Sequence, residues 1–288
     1  MKEPLYKLTL EGATLHLSKG NRKIGRGIWS FSTIPGNADH MPTLKDGTLL
    51  TDVPGTCSKY CDGCAKDGAC YAWRDLKLHR NVTVKAWGEN TLLLRSGRIW
   101  DDIGTFLTLK NGKAERFLKA AHGSQMDPGE ALATARKLAA VKIFRIHVSG
   151  ELENVGQLRR WNLLALAHPE VQFGTYTKNF DALGEFLDSG TDFADNFVVN
   201  VSQWAHCADA FLEKYSWAKL NVFEYCPTNR KGCDLPKEEV DRIEKLPKCP
   251  AVGRDGHHAK TPNGEPLTCT LCQNCYTKTG RHIGVWSH

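Results

Sequence analysis

The chain has 288 residues, 41% of them hydrophobic and 24% charged, which is enough for one large α/β domain with a small appendage and excludes a disordered chain. The N-terminus is charged and no run of about 18 apolar residues occurs, so the reading is a soluble, cytoplasmic protein with no membrane partner. A net charge of +6 allows an anionic partner but falls short of a dedicated nucleic-acid binder.

In chain order, residues 1–50 form a lead-in, with short alternating runs at 5–10 and 14–17 that suggest a hairpin. A glycine-punctuated basic stretch carrying Arg22, Lys23 and Arg26 follows. Residues 51–230 read as the main domain. It opens on a cysteine loop, turns helical near Tyr71, and shows apolar faces at Thr91-Leu92-Leu93-Leu94 and 100–109. The pair Asp127-Pro128 starts a further helix running through Ala140. Strands are expected at 142–149, 172–178, 197–203 and 220–226, separated by amphipathic segments such as 157–167 and 181–187. That alternation predicts a mostly parallel sheet, open or curled into a barrel. Residues 231–288 are rich in proline, and only 237–246 looks helical.

A parallel strand covered on both faces should be almost wholly apolar, and these are not. Arg145, His147, Ser149 and Glu151 alternate with Phe144, Ile146 and Val148. Tyr176 and Lys178, Asn200 and Ser202, and Glu224 and Cys226 repeat the habit. The pattern predicts a shared polar cavity at the carboxyl ends of the strands. The plainer reading is a solvent-facing or mutually satisfied polar surface.

Eleven cysteines are present. Their odd number, the absence of an export signal and the tight two-residue spacings favour metal over disulfides. Cys57, Cys61, Cys64 and Cys70 crowd one loop, and Cys249, Cys269, Cys272 and Cys275 serve the C-terminal part, where so few apolar residues make metal the expected organiser. Cys207, Cys226 and Cys233 include ordinary buried thiols.

The spacing Cys57-x-x-x-Cys61-x-x-Cys64 resembles that of radical S-adenosylmethionine enzymes, in which three thiolates hold a [4Fe-4S] cluster and leave one iron for the cofactor. Val148-Ser149-Gly150-Glu151 is similar to the element with which those enzymes grip the methionine amine. The resemblance implies an incomplete (β/α) barrel, with Ser149, Gly150 and Glu151 at the cofactor and Arg145, His147, Tyr176, Lys178 and Asn200 lining the pocket. Cys70 is an alternative ligand to Cys61, or a fourth that closes the site. Thr56-Cys57, Cys64, Cys70-Tyr71-Ala72-Trp73-Arg74, Asn90-Thr91-Leu92-Leu93-Leu94, residues 144–151, Tyr176-Thr177-Lys178 and the terminal cysteines together resemble the phage "gene product 88" family. That resemblance implies a phage origin, hence the bacterial host's cytoplasm, a radical-SAM-like barrel with iron–sulfur, and Cys57, Cys64 and Cys70 as the recurrent ligands.

Four C-terminal thiolates suit a second [4Fe-4S] cluster or zinc, with His257 or His258 as substitutes for Cys249. Two functions compete on these residues. One is a radical-SAM-type enzyme that needs an electron donor and acts on a substrate the sequence does not name. The other is a noncatalytic iron–sulfur or zinc protein that meets nucleic-acid phosphate through Arg22, Lys23 and Arg26.

Overall fold

A computed structural model describes residues 3–20, 25, 27–61, 70–204, 206–226, 236–250 and 259–286. Its helices begin where the side chains permit. After α1 (Tyr71–Leu78), α2 (Arg80–Ser96) and α3 (Ile99–His122) comes α4 (Pro128–Leu138), where the Asp127 carboxylate accepts the Glu130 amide at 2.9 Å. Asparagines start the next two in the same way. Asn154 accepts the Gln157 amide for α5 (Val155–Ala167), and Asn179 accepts that of Ala182 for α6 (Phe180–Asp188). The chain continues through α7 (Asp209–Lys214), α8 (Lys237–Lys245) and the single turn α9 (Cys269–Cys272).

The strands are β1 (Ser18–Lys19), β2 (Ile28–Ser30), β3 (Ile143–Arg145), β4 (Gln172–Thr177), β5 (Phe197–Gln203), β6 (Asn221–Cys226) and β7 (His282–Trp286). They form one sheet in simple chain order, with β1 antiparallel to β2 and every later pair parallel. A doubly wound sheet reverses its order at a switch point, and this one does not. The sheet is open, with β1 at one edge and β7 at the other. Beyond β7, Lys248 makes a parallel bridge to Gly284, and the Cys249 amide donates to the Gly284 carbonyl at 2.9 Å.

Residues 5–10 and 14–17 are not strands; the hairpin-like pair is β1 with β2, so the lead-in enters the main sheet. β7 likewise joins residues 231–288 to it. β3 ends at Arg145, short of Ser149, because His147 turns into the left-handed region at φ 51.

The outer face of the sheet carries the main core. Phe31, Phe144, Phe173, Phe197 and Val199 pack there with Trp161 of α5, Phe186 of α6, and Ile103 and Leu107 of α3. Such contiguous burial of large rings supplies most of the stabilisation of a layer of this kind. On the inner face, Ile28 and Ile143 meet Tyr276, with Cys269 and Cys275 packed against them.

Candidate functional site

The cysteine loop is fastened to the carboxyl ends of the parallel strands by a clasp of hydroxyls. Thr33 follows β2, Thr56 precedes Cys57, and their Oγ1 atoms lie 2.8 Å apart. Thr33 donates its amide to the Ser149 carbonyl at 3.0 Å, and Thr56 Oγ1 accepts the Glu151 amide at 2.9 Å. Gly150 sits beneath them at φ 78, where a Cβ would overlap Thr33 Oγ1 and stand 2.5 Å from Thr56 Oγ1. Only glycine satisfies both demands. The clasp puts the cysteine loop beside the Val148-Ser149-Gly150-Glu151 turn, the two elements that the sequence paired.

Within the loop the Cys57 and Cys61 thiols lie against each other. The hydrogen bond with Cys61, and then burial, push the Cys57 thiol well up, although the Gly36 amide donates to its Sγ at 3.2 Å. Cys61 moves down to about 6, chiefly through its hydrogen bond with Cys57, against burial and with help from the Lys178 charge and Ser58. One proton therefore leaves this pair readily, and the second is held. Cys70 stands at the start of α1, next to Tyr71, whose hydroxyl donates to the Val148 carbonyl. Cys64 lies outside the described residues, as do Cys233, His257, His258, Arg22, Lys23 and Arg26.

Glu151 is buried, and its carboxylate accepts the Leu152 amide at 2.9 Å and the Lys178 amide at 2.7 Å. Burial, then the charge of Cys61, pushes it up to about 8. Its two oxygens thus tie the end of β3 to the end of β4.

The lower part of the inner face is occupied by the C-terminal cysteine segment. Asn200 Nδ2 donates to the carbonyls of Thr175 at 2.8 Å and Cys275 at 3.0 Å. Asn221 donates to Thr277 O at 2.9 Å and accepts the amides of Thr279 at 3.0 Å and Gly280 at 2.9 Å. Gly174 leaves room for the Tyr276 ring, whose atoms a Cβ would meet at 2.6 Å. Burial pushes the Cys275 thiol up to about 12, with the Cys249 and Cys269 sulfurs adding to it. Between this floor and the cysteine loop, the Arg145 guanidinium lies 5.0 Å from the Tyr176 ring centre.

The structure brings Arg145, Tyr176, Tyr71 and Lys178 together and sets other expected residues apart. His147 turns outward, edge-on to Phe31 at 5.5 Å and Trp161 at 6.5 Å, where burial drives its pKa down to about 3. Its left-handed backbone breaks the alternation that placed it with Arg145. Glu224 also faces away: the register aligns Phe223, not Glu224, with Ser202, and the Glu224 carboxylate pairs with Arg242 of α8 at 2.5 Å and His282 at 2.7 Å. Ser149 Oγ is buried without a hydrogen-bond partner among the described residues. Asn200 is spent on backbone carbonyls.

Among the described residues, no three His, Cys, Asp or Glu side chains converge as metal ligands do. The donor chemistry at the loop fits a thiolate-held metal, with two paired thiols, one of them readily ionised, a nearby ammonium and a third cysteine on the same loop. Cys249, Cys269, Cys272 and Cys275 do not converge in this conformation. Thr33, Thr56, Tyr71, Asn221 and Tyr276 are site residues that sequence reasoning missed. Thr56, Tyr71 and Tyr276 adjoin cysteines, a usable signal, whereas Thr33 and Asn221 carry none.

No helix among the described residues is long and apolar enough to cross a membrane. No curated protein and no solved structure matches the chain. Residues 15–278 match the family described as gene product 88, and the chain belongs to that family.

Proposed function

We propose that this is an iron–sulfur protein of radical S-adenosylmethionine type, with the open sheet as its incomplete barrel. Cys57, Cys64 and either Cys61 or Cys70 hold a [4Fe-4S] cluster, an electron donor serves as partner, and the substrate is unidentified. The observation that carries this reading is the clasp: paired Cys57 and Cys61 thiols are fixed at the carboxyl ends of parallel strands, against the Gly150-Glu151 turn. Six parallel strands in chain order support the barrel reading, since that order curls rather than doubles back. When bound, the cluster supplies the electron that cleaves the sulfonium of the cofactor. The chain's own part is to keep Cys61 ionised beside Lys178 and to hold the turn through Thr33 and Thr56. The segment carrying Cys249, Cys269, Cys272 and Cys275 takes a second [4Fe-4S] cluster or zinc only after the thiols move together.

A second reading, a noncatalytic metal protein that binds nucleic acid, is favoured by two facts. Both Glu151 oxygens are engaged by backbone amides, and Lys110, Lys113 and Arg116 stand exposed along α3. Anaerobically purified protein separates the two. The enzyme reading expects iron and acid-labile sulfide, a paramagnetic spectrum perturbed by S-adenosylmethionine after reduction, and release of 5′-deoxyadenosine. An iron-free protein, or a spectrum indifferent to the cofactor in wild type, Cys61→Ala and Cys70→Ala alike, overturns it.

A further inference from the structure

The least explained group in the molecule is Arg145. Its Nε is sealed from solvent with no hydrogen-bond partner, and no carboxylate pairs with it among the described residues. Arg145 is half-buried, and a guanidinium with one N–H sealed from water and unpaired carries a desolvation cost that an arriving counter-charge offsets. The side chains that surround it, Tyr71, Tyr176, Tyr276 and Cys269, include no carboxylate.

The geometry instead suits an incoming oxyanion. The guanidinium carbon lies over the Tyr176 ring at 5.0 Å, a cation–π contact that leaves the fork's own N–H groups for paired hydrogen bonds. The Lys178 ammonium adds a second positive charge within electrostatic reach of Tyr71, as Arg145 does. Tyr71 is itself 39% exposed, so this group of side chains reaches solvent. Arg145 sits on β3 below the turn that the clasp fastens to the cysteine loop. A group anchored there enters the inner face of the sheet from that side.

We propose that Arg145 is the anchor for a carboxylate or phosphate group on the ligand that fills the inner face of the sheet. The site takes an anionic small molecule, held by Arg145 with Lys178 and Tyr71 at its rim. This rests on the preceding reading only in naming that ligand the substrate; the anion site stands without the cluster.

The test is calorimetric titration of the full chain at low ionic strength with inorganic phosphate and, separately, succinate. Iron is measured on the same samples. Wild type is expected to bind at least one of the two, and the preferred anion tells phosphate from carboxylate. Arg145→Gln should weaken that binding at least about tenfold, the loss that follows removal of a charge-assisted hydrogen-bond pair. Arg145→Lys keeps the charge without the fork and should fall between. Arg160→Gln, in the groove between α2 and α5, should bind as wild type. Near-UV circular dichroism checks that each variant is folded; if Arg145→Gln is not, Arg145→Lys carries the comparison. Failure of wild type to bind either anion overturns the proposal, as does equal binding by the folded Arg145 variants. Metal loss in Arg145→Gln without anion binding in wild type would make Arg145 a counter-cation to the Cys269 and Cys275 thiolates instead. Anion binding by iron-free protein sinks the cluster reading alone, and iron without anion binding sinks this one alone.

Discussion

The two cysteine regions face the same sheet and are fastened by different means. Cys57 and Cys61 hang from hydroxyls: Thr33 and Thr56 bond each other and the backbone around Gly150. The C-terminal segment hangs from amides, with Asn200 and Asn221 gripping its carbonyls and N–H groups while Tyr276 fills the space over Gly174. Their thiols differ accordingly. Cys61 is lowered to about 6, whereas Cys275 is raised to about 12. The first region holds a readily ionised sulfur in a fixed backbone; the second is docked by its backbone with its buried sulfur neutral. Low apolar content therefore does not leave the C-terminal segment without anchors, because it borrows the inner face of the sheet.

The strongest way to break this contrast is to cut the amide grip. Asn221→Ala would leave the Thr277 carbonyl and the Thr279 and Gly280 amides without their partner, at about 1–3 kcal/mol for each group that stays buried. The expected loss in urea unfolding is about 1–3 kcal/mol, most of it from the buried Asn200 Oδ1 that Asn221 also serves, since Thr277, Thr279 and Gly280 themselves lie exposed. Limited proteolysis should then cut residues 259–286 first. Equal cutting throughout the chain would mean that the segment is held by something else.

An effect of similar size is expected at the hydroxyl clasp. Gly150→Ala places a methyl against Thr33 Oγ1 on a left-handed backbone, a strain of about 1–3 kcal/mol. On the proposed iron–sulfur reading it should cost iron retention at the N-terminal loop, while leaving the C-terminal segment resistant to protease. Unchanged iron and stability would remove the clasp from the account.

The smallest effect concerns chemistry rather than stability. In metal-free protein Cys61 should be alkylated by iodoacetamide ahead of Cys57 and Cys275, with a midpoint near pH 6. The sign follows from the shifts: Cys61, lowered to about 6, is mostly thiolate at pH 7, and Cys275, raised to about 12, is not. Peptide mapping checks the order. Uniform labelling that rises only above pH 8 would erase the distinction between the two regions.

Much of the scaffold was legible because its signals are local. The strand expected at 197–203 coincides with β5, and Asp127-Pro128 and Asn179 start helices through their own side chains. β2 and β7 escaped notice because each is short and lies among glycines, and β7 even contains Gly284. The polar alternation located Arg145 and Tyr176 correctly on one face. It misled at His147, where one left-handed residue turns the side chain to the core, and at Glu224, which partners Arg242 across the outer face. Thr33 is paired with Thr56 and Ser149 by tertiary contact alone, so nothing in its neighbourhood announced it.

The bridge beyond β7 bears on how the molecule behaves in a crowd of its own copies. An open sheet offers two rows of unpaired backbone groups, and such rows invite a neighbouring chain to add a strand. Here one margin is only two residues long and carries Lys19, and the other is already engaged by backbone bonds from Pro247 and Cys249 to Gly284. This sheet can therefore stay open without its margins templating a further strand.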